Sequence, residues 1–93
     1  GVDPGTNRLV AGGIEAQTHQ VMRNLTTVLA GGGASLDRTV MARVYLTNFA
    51  DYPAMNAVYG KHFPVDPPAR ATVQAAKLPA GALVEIDAIA STR

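Results

Sequence analysis

The sequence predicts an α+β fold in which two helices cover one face of a mixed sheet. Two stretches repeat apolar residues at helical spacing, three others alternate apolar and polar residues, and short connections join them. The order along the chain is helix, strand, helix, strand, strand, which is typical of a ferredoxin-like split β-α-β layout. The chain has 93 residues, of which 47% are hydrophobic and 16% are charged, and this balance favours one packed core.

The first helix is expected from about residue 14 to about residue 30. Its apolar stripe consists of Val21, Met22, Leu25, Val28 and Leu29. The glycines at 31–33 should end it, because glycine readily adopts the positive φ of a helix terminus. Residues 1–13 are rich in glycine, proline, aspartate and asparagine, and we expect a loop there. On the helix, Glu15 and His19 should form a solvent-facing pair.

The middle of the chain predicts a strand followed by a second helix. Residues 39–46 alternate, and the apolar face of this strand carries Val40, Ala42, Val44 and Leu46. Asp51 can cap the second helix, and three prolines from residue 64 onward should end it. The inner side of that helix is expected to contain Met55, Val58, Tyr59 and His62.

The last two strands are expected at residues 70–76 and 82–90. Pro79 and Gly81 lie between them and suit a hairpin turn. On the final strand, one row consists of Val84, Ile86 and Ala88, and the opposite row of Leu83, Glu85, Asp87 and Ile89. If the first row packs under the helices, the second row is too apolar to face water. We therefore predict a homo-oligomer in which another subunit covers it.

Strand alternation groups four side chains that could carry chemistry. Arg70 and Thr72 share one strand face, as do Glu85 and Asp87. If the hairpin pairs residue 76 with residue 81, Thr72 lies opposite Glu85, whereas a slip of one residue separates them. Arg70 would then lie opposite Asp87, and the four groups could bind a carboxylate substrate and a water molecule. The simpler alternative is an ordinary ion pair between Arg70 and Asp87.

The composition excludes several classes of function. The chain has no cysteine and two histidines, which excludes disulfides and thiol chemistry and makes a metal site unexpected. The net charge of +1, with acids and bases interspersed, does not favour a nucleic-acid or membrane-surface partner. No apolar stretch approaches the roughly 20 residues that a membrane helix needs. We expect a soluble, cytoplasmic protein.

Three segments, taken in order, resemble one known family. They are residues 54–59 (AMNAVY), 67–73 (PPARATV) and 78–90 (LPAGALVEIDAIA). These motifs resemble the Rid (YjgF-like) family of reactive-intermediate imine and enamine deaminases. The similarity also runs through residues 2–4, the first helix and residues 34–37, so that it covers nearly the whole chain.

The resemblance implies a chorismate-mutase-like fold, assembled as a homotrimer in which the sheets line a central barrel and the clefts lie between subunits. It implies hydrolysis of 2-imino and enamino acids, such as 2-aminoacrylate, to 2-keto acids and ammonia without a cofactor. Family members usually have two further N-terminal strands, which this sequence does not contain. Residues 1–93 are therefore expected to form a single, N-terminally incomplete Rid-type domain.

The resemblance also implies roles for individual residues. Arg70 matches the arginine that binds the substrate carboxylate, and Asn56 matches another substrate-binding residue of the cleft. Glu85 matches the acid that positions the attacking water, and it would act as a general base. Thr72 stands where some members have cysteine and can offer only a hydroxyl or its backbone groups.

Two other functions are open alternatives to the deaminase. One is a non-enzymatic trimer that binds small carboxylates for regulation or acts like a chaperone. The other is RNA cleavage, to which the near-neutral charge and the 5% aromatic content give little support. The first alternative predicts that a carboxylate binds at Arg70 without turnover.

Overall fold

The protein is described here by a computed structural model that covers residues 2–3, 8–9, 12–64 and 67–92. The helices and strands are β1 (Val2–Asp3), β2 (Arg8–Leu9), α1 (Gly13–Gly31), β3 (Thr39–Leu46), α2 (Tyr52–His62), β4 (Ala69–Gln74) and β5 (Val84–Ala90). Because β1 and β2 pair antiparallel, the prediction of a loop was wrong for these four residues. Within the predicted loop, residues 1, 4–7, 10 and 11 lie outside the described residues.

The first helix confirms the prediction at its C-terminal end but buries a narrower stripe. Past the end of α1, Gly33 has a φ of 78° and the Ala34 N–H donates to the Leu29 carbonyl at 2.8 Å. Met22 is fully buried, as expected. Val28 is 70% exposed and lines an open groove beside β5, so its predicted place in the core was wrong.

β3 is the central strand of a three-stranded sheet with the order β4-β3-β5. It pairs parallel with β4 and antiparallel with β5, so the sheet is mixed, as predicted. The predicted hairpin is wrong, because β4 and β5 lie on opposite sides of β3. The chain between them passes the end of β3, where the Ala75 N–H donates to the Leu46 carbonyl and the Thr47 N–H donates to the Leu83 carbonyl. The short 3-10 turn at Pro79–Gly81 belongs to this crossover.

The apolar character of β3 accounts for its central position. Val44 and Leu46 are fully buried, whereas every side chain of β4 is at least partly exposed. In the centre of the sheet the backbone of β3 is hydrogen-bonded on both sides while its apolar face is covered by helices. The turn residues Pro79 and Gly81 suit a hairpin and a crossover turn equally well, so they could not reveal this order.

Both helices pack on one face of the sheet, which confirms the α+β class. The core consists of Met22, Ala42, Val44, Leu46, Met55, Tyr59, Phe63, Val84 and Ile86. Val40 was expected to face this core but is 56% exposed, and Thr39 is buried instead. A register irregularity between Thr39 and Met41 explains the exchange, because an offset of one residue reverses which side chains face inward.

Candidate functional site

Arg70 lies on the helix-covered face of the sheet, next to α2. In the register of β3 and β4 it is the partner of Ala42, whose side chain faces the core. Arg70 Nη1 donates a hydrogen bond to Asn56 Oδ1, and Nη2 donates one to the Tyr52 hydroxyl oxygen, both at 2.6 Å. The guanidinium carbon lies 4.9 Å from the centre of the Tyr59 ring, which is a cation–π contact. Three side chains of α2 therefore hold this arginine.

The positive charge of Arg70 has no acidic partner among the described residues. Among the described residues there is one ion pair, and it joins Arg43 to Asp87. Tyr52 and Asn56 are neutral acceptors, and they occupy two of the five N–H donors of the guanidinium. Within the described ranges, three donors and the charge therefore have no partner and could serve a ligand. A carboxylate, which accepts two parallel hydrogen bonds, matches that donor set.

Arg70 and Asn56 line a cleft of about 410 Å³, a volume within the range of small-molecule sites. The other lining residues are apolar or aromatic: Tyr59, Gly60, Phe63, Pro67 and Pro68. Burial raises the pKa of the Tyr59 hydroxyl above its ordinary value, while the charge of Arg70 acts in the opposite direction to a smaller extent. Tyr59 is therefore neutral near pH 7 and does not cancel the charge of Arg70.

Thr72 follows Arg70 on the same face of β4, as predicted. It is the register partner of Val44 on β3, so the predicted position opposite Glu85 was wrong. The Thr72 hydroxyl oxygen is buried and has no hydrogen-bond partner among the described residues. Buried hydroxyl groups are usually hydrogen-bonded, since an unpaired one destabilises the fold. Thr72 thus carries an unused donor and acceptor close to Arg70 along the strand.

Glu85 does not meet Arg70 within one chain. In the register of β3 and β5, Glu85 is the partner of Tyr45, which places it on the face of the sheet opposite to Arg70. Asp87 lies on the same face as Glu85, and its Oδ1 accepts a hydrogen bond from Arg43 Nε at 2.8 Å. The predicted convergence of these acids with Arg70 is therefore wrong for a single chain. It required the hairpin that does not form.

A family model described as Endoribonuclease L-PSP matches residues 1–92. The chain belongs to this family. It is the Rid family that the motifs at residues 54–59, 67–73 and 78–90 indicated.

Relatives of this Rid-family chain align with nearly all of it. Protein DfrA of Myxococcus xanthus is 47% identical over 89 residues, which are 96% of this chain and 68% of the relative. The 2-iminobutanoate/2-iminopropanoate deaminase of Capra hircus is 40% identical over 90 residues, 97% of this chain and 66% of that protein. The chloroplastic Reactive Intermediate Deaminase A of Arabidopsis thaliana is 38% identical over 98% of this chain, which spans 49% of its length.

Two crystal structures have the same fold as this Rid-family chain. RidA from an Antarctic Psychrobacter superposes with a TM-score of 0.92 at 39% identity, over 97% of this chain and 72% of that one. E. coli TdcF with bound serine superposes with a TM-score of 0.90 at 29% identity, over 96% of this chain and 72% of that one. These matches agree with the two helices and the mixed sheet described above.

Sequence reasoning missed Tyr52, the second hydrogen-bond partner of Arg70. Tyr52 and Asn56 are four residues apart, so they share one face of α2, and this spacing was the available signal. It does not show which strand that face meets. The parallel pairing of β3 with β4 brings Arg70 there, and the pairing depends on the whole sheet.

The two histidines of the Rid chain contact each other across the two helices. His19 was expected to pair with Glu15, but its Nδ1 lies 3.4 Å from Nε2 of His62. Within the described ranges, no group of three histidine, aspartate or glutamate residues is arranged to hold a metal ion. None of the described helices is long and apolar enough to cross a membrane.

Proposed function

We propose that this chain hydrolyses 2-imino and enamino acids, such as 2-aminoacrylate, to 2-keto acids and ammonia without a cofactor. One observation carries the proposal: Arg70 is held by neutral partners at the wall of a small cleft, and its charge and three of its donors have no partner among the described residues. The deaminase names of the goat and Arabidopsis relatives support the same reaction class. Further support comes from E. coli TdcF, a relative of the same fold whose crystal structure has serine, an amino acid, bound.

The proposed reaction adds water to the C=N bond next to the substrate carboxylate. An enamino acid first takes up a proton at carbon and releases one from nitrogen, and thereby becomes the imino acid. Arg70 binds the carboxylate, and the water oxygen forms a bond to C2. The carbinolamine that results loses ammonia, and the C=O bond of the 2-keto acid replaces the C=N bond. No oxidant or reductant is required, since the oxidation state of C2 does not change.

Glu85 is proposed as the general base that removes a proton from the attacking water. Because Glu85 lies on the opposite face of the sheet from Arg70, it can take this role only if a second copy of the chain supplies it. The predicted homotrimer would place clefts between subunits and would cover the open face. Thr72, with its unpaired buried hydroxyl, is proposed to hold the water or the developing amino group. Asn56 contributes by binding Arg70.

The test is to generate an imino acid with an amino-acid oxidase and to follow the release of keto acid with wild type and variants. We expect Arg70→Ala to lower kcat/KM by about 100-fold, because a carboxylate loses its charged hydrogen-bond partner. Arg38→Ala is the matched control, since Arg38 is exposed, donates a hydrogen bond to the Thr92 carbonyl and is not among the residues that line the cleft. Equal rates for Arg70→Ala and wild type would exclude the assigned role.

A second experiment with the same assay tests whether one cleft contains residues from two copies of the chain. Arg70→Ala and Glu85→Gln should each have strongly reduced activity alone. If the cleft takes Arg70 from one copy and Glu85 from another, mixing the two variants under conditions that exchange subunits restores part of the activity, because some clefts then contain both residues. No recovery, together with demonstrated subunit exchange, would mean that Glu85 does not act across a subunit boundary.

A non-enzymatic carboxylate-binding protein is the second candidate. The separation of Glu85 from Arg70 within the chain favours it, since the chain alone presents a carboxylate-binding group without the proposed base. It predicts that a keto acid binds at Arg70 but that imino acids are not hydrolysed faster than in buffer. The wild-type rate in the oxidase assay separates the two candidates.

A further inference from the structure

We infer that Tyr52 is a positioning residue of this site, whose hydroxyl oxygen holds the Arg70 guanidinium in the orientation that receives a carboxylate. The inference rests on the proposed function for the identity of the ligand. Tyr52 is not among the residues that line the cleft, so it acts through Arg70 rather than on the ligand.

Two hydrogen bonds on different nitrogen atoms fix the guanidinium plane. Nη1 is bound to Asn56 Oδ1 and Nη2 to the Tyr52 hydroxyl, each at 2.6 Å. With only one of these contacts the guanidinium could still turn about it. The Tyr59 ring, whose centre is 4.9 Å from the guanidinium carbon, limits the remaining motion. Removing the Tyr52 hydroxyl would therefore release one end of the guanidinium while leaving the other end bound.

Tyr52 itself is fixed by the strand that carries Arg70. Its ring packs against the core and lies 5.5 Å, centre to centre, from the ring of Phe49. The Phe49 N–H donates to the side-chain oxygen of Gln74 at 2.9 Å, and Gln74 lies on β4 four residues after Arg70. The contacts thus form a closed series that runs from Gln74 on β4 to Phe49, from Phe49 to Tyr52, and from Tyr52 back to Arg70 on β4. These contacts set the Arg70 orientation before any ligand binds.

The choice of neutral partners is part of the inference. A glutamate or aspartate at position 52 or 56 could also fix Arg70, but its charge would compete with the substrate carboxylate. Tyrosine and asparagine fix the side chain and leave its charge unpaired. Long arginine side chains lose much rotamer freedom when a ligand orders them, and a side chain that is held beforehand avoids that loss at the binding step.

Tyr52→Phe tests the inference because it removes only the hydroxyl group. We expect the Kd for 2-oxobutanoate, measured by calorimetry, to rise about three- to tenfold, less than for a direct contact, because the lost hydrogen bond orients Arg70 and does not reach the ligand. The KM for the imino acid should rise by a similar factor, with kcat changed less than about twofold. In nitrogen-15 NMR spectra of the side chain, the separate Nη signals of a held Arg70 should merge. Tyr45→Phe, on the opposite face, is the matched control and should change neither the Kd for 2-oxobutanoate nor the Arg70 signals.

The outcomes separate the inference from the proposed function. If Tyr52→Phe weakens 2-oxobutanoate binding and merges the Arg70 signals although wild type hydrolyses no imino acid, the positioning role stands and the deaminase proposal fails. If wild type is an active deaminase and Tyr52→Phe keeps its Kd, KM and Arg70 signals, the positioning role is overturned. If wild type neither binds 2-oxobutanoate nor hydrolyses an imino acid, both fail. A melting temperature near that of wild type shows that Tyr52→Phe is folded.

Discussion

Two arginines lie one register step apart on neighbouring strands, yet their surroundings differ completely. Arg70 pairs in register with Ala42, and Arg43 is the next residue of β3, so the two side chains occupy opposite faces of the sheet. Arg43 forms an ion pair with Asp87 at 2.8 Å, in which the side chains are 56% and 47% exposed. Its hydrogen bond to Asp87, and then the charge of that carboxylate, raise the pKa of Arg43.

The contrast between these two side chains shows which kind of arginine indicates a site. A guanidinium that is exposed and neutralised by a carboxylate, as at Arg43, is an ordinary feature of a sheet surface. Arg70 is partly buried and ordered by neutral groups, so its charge is not satisfied within the described part of the chain. Such an arrangement destabilises the fold, and a ligand that supplies negative charge, as the proposed function requires, would reduce this cost.

The helix-covered face and the open face of the sheet should also differ in how much their side chains contribute to the free energy of unfolding, and this is the largest effect that we expect. Leu46 is fully buried on the helix-covered face, whereas Ile89 is 62% exposed on the open face. We expect Leu46→Ala to lower the free energy of unfolding by about 3 kcal/mol and Ile89→Ala by less than about 1 kcal/mol, because only the first leaves a cavity. Urea denaturation at a single protein concentration measures both.

Equal losses of unfolding free energy for Leu46→Ala and Ile89→Ala would contradict the distinction between the two faces of the sheet. Repeating the urea denaturation over a range of protein concentrations makes the comparison sharper. If another copy of the chain covers Ile89, as the sequence predicts, the effect of Ile89→Ala should grow with concentration, since the assembled state is then the one being stabilised. The effect of Leu46→Ala should stay the same.

The second prediction compares the two arginines directly. Arg43→Gln should leave the affinity for 2-oxobutanoate within about twofold of wild type and shift the melting temperature by less than about 4 °C, because exposed ion pairs contribute little. Arg70→Ala should weaken the same affinity strongly. If Arg43→Gln weakened 2-oxobutanoate binding as much as Arg70→Ala does, the open face would be part of the carboxylate site.

Local patterns in the sequence predicted the elements of this fold well. The strand Thr39–Leu46 was predicted with its bounds, and both helices end close to the expected residues, because alternation, helical spacing and glycine stops act over a few residues. Alternation also predicted correctly that Arg70 and Thr72 share a face of their strand, and that Glu85 and Asp87 share a face of theirs. The family motifs then identified the Rid family.

The pairing of strands could not be predicted in the same way. Residues 75–83 contain proline and glycine, which suit a hairpin and a crossover turn equally well. The order of the strands is decided instead by β3, the most apolar strand, which needs a hydrogen-bonded neighbour strand along each of its edges. This error in the pairing placed Arg70 and Thr72 on the open face, where Glu85 does lie, although both are on the helix-covered face. The irregularity between Thr39 and Met41 and the contact of Tyr52 with Arg70 were missed for the same reason, since both depend on partners distant in sequence.

The smallest expected effect is a pH dependence that arises away from the sheet, where α1 meets α2. Burial, then the nearby His19 and Arg23, lower the pKa of His62 below its ordinary value. The folded state therefore binds a proton at His62 less readily than the unfolded state, and its contribution to stability is present above the ordinary histidine pKa and is lost as the pH falls. We expect urea midpoints to decline modestly from about pH 7 to about pH 5, above the range where carboxylates titrate.

His62→Gln should flatten this decline, and His19→Gln should flatten it less, because burial is the larger cause of the lowered His62 pKa. A His62→Gln profile with the same slope as wild type would show that the histidine contact does not respond to pH.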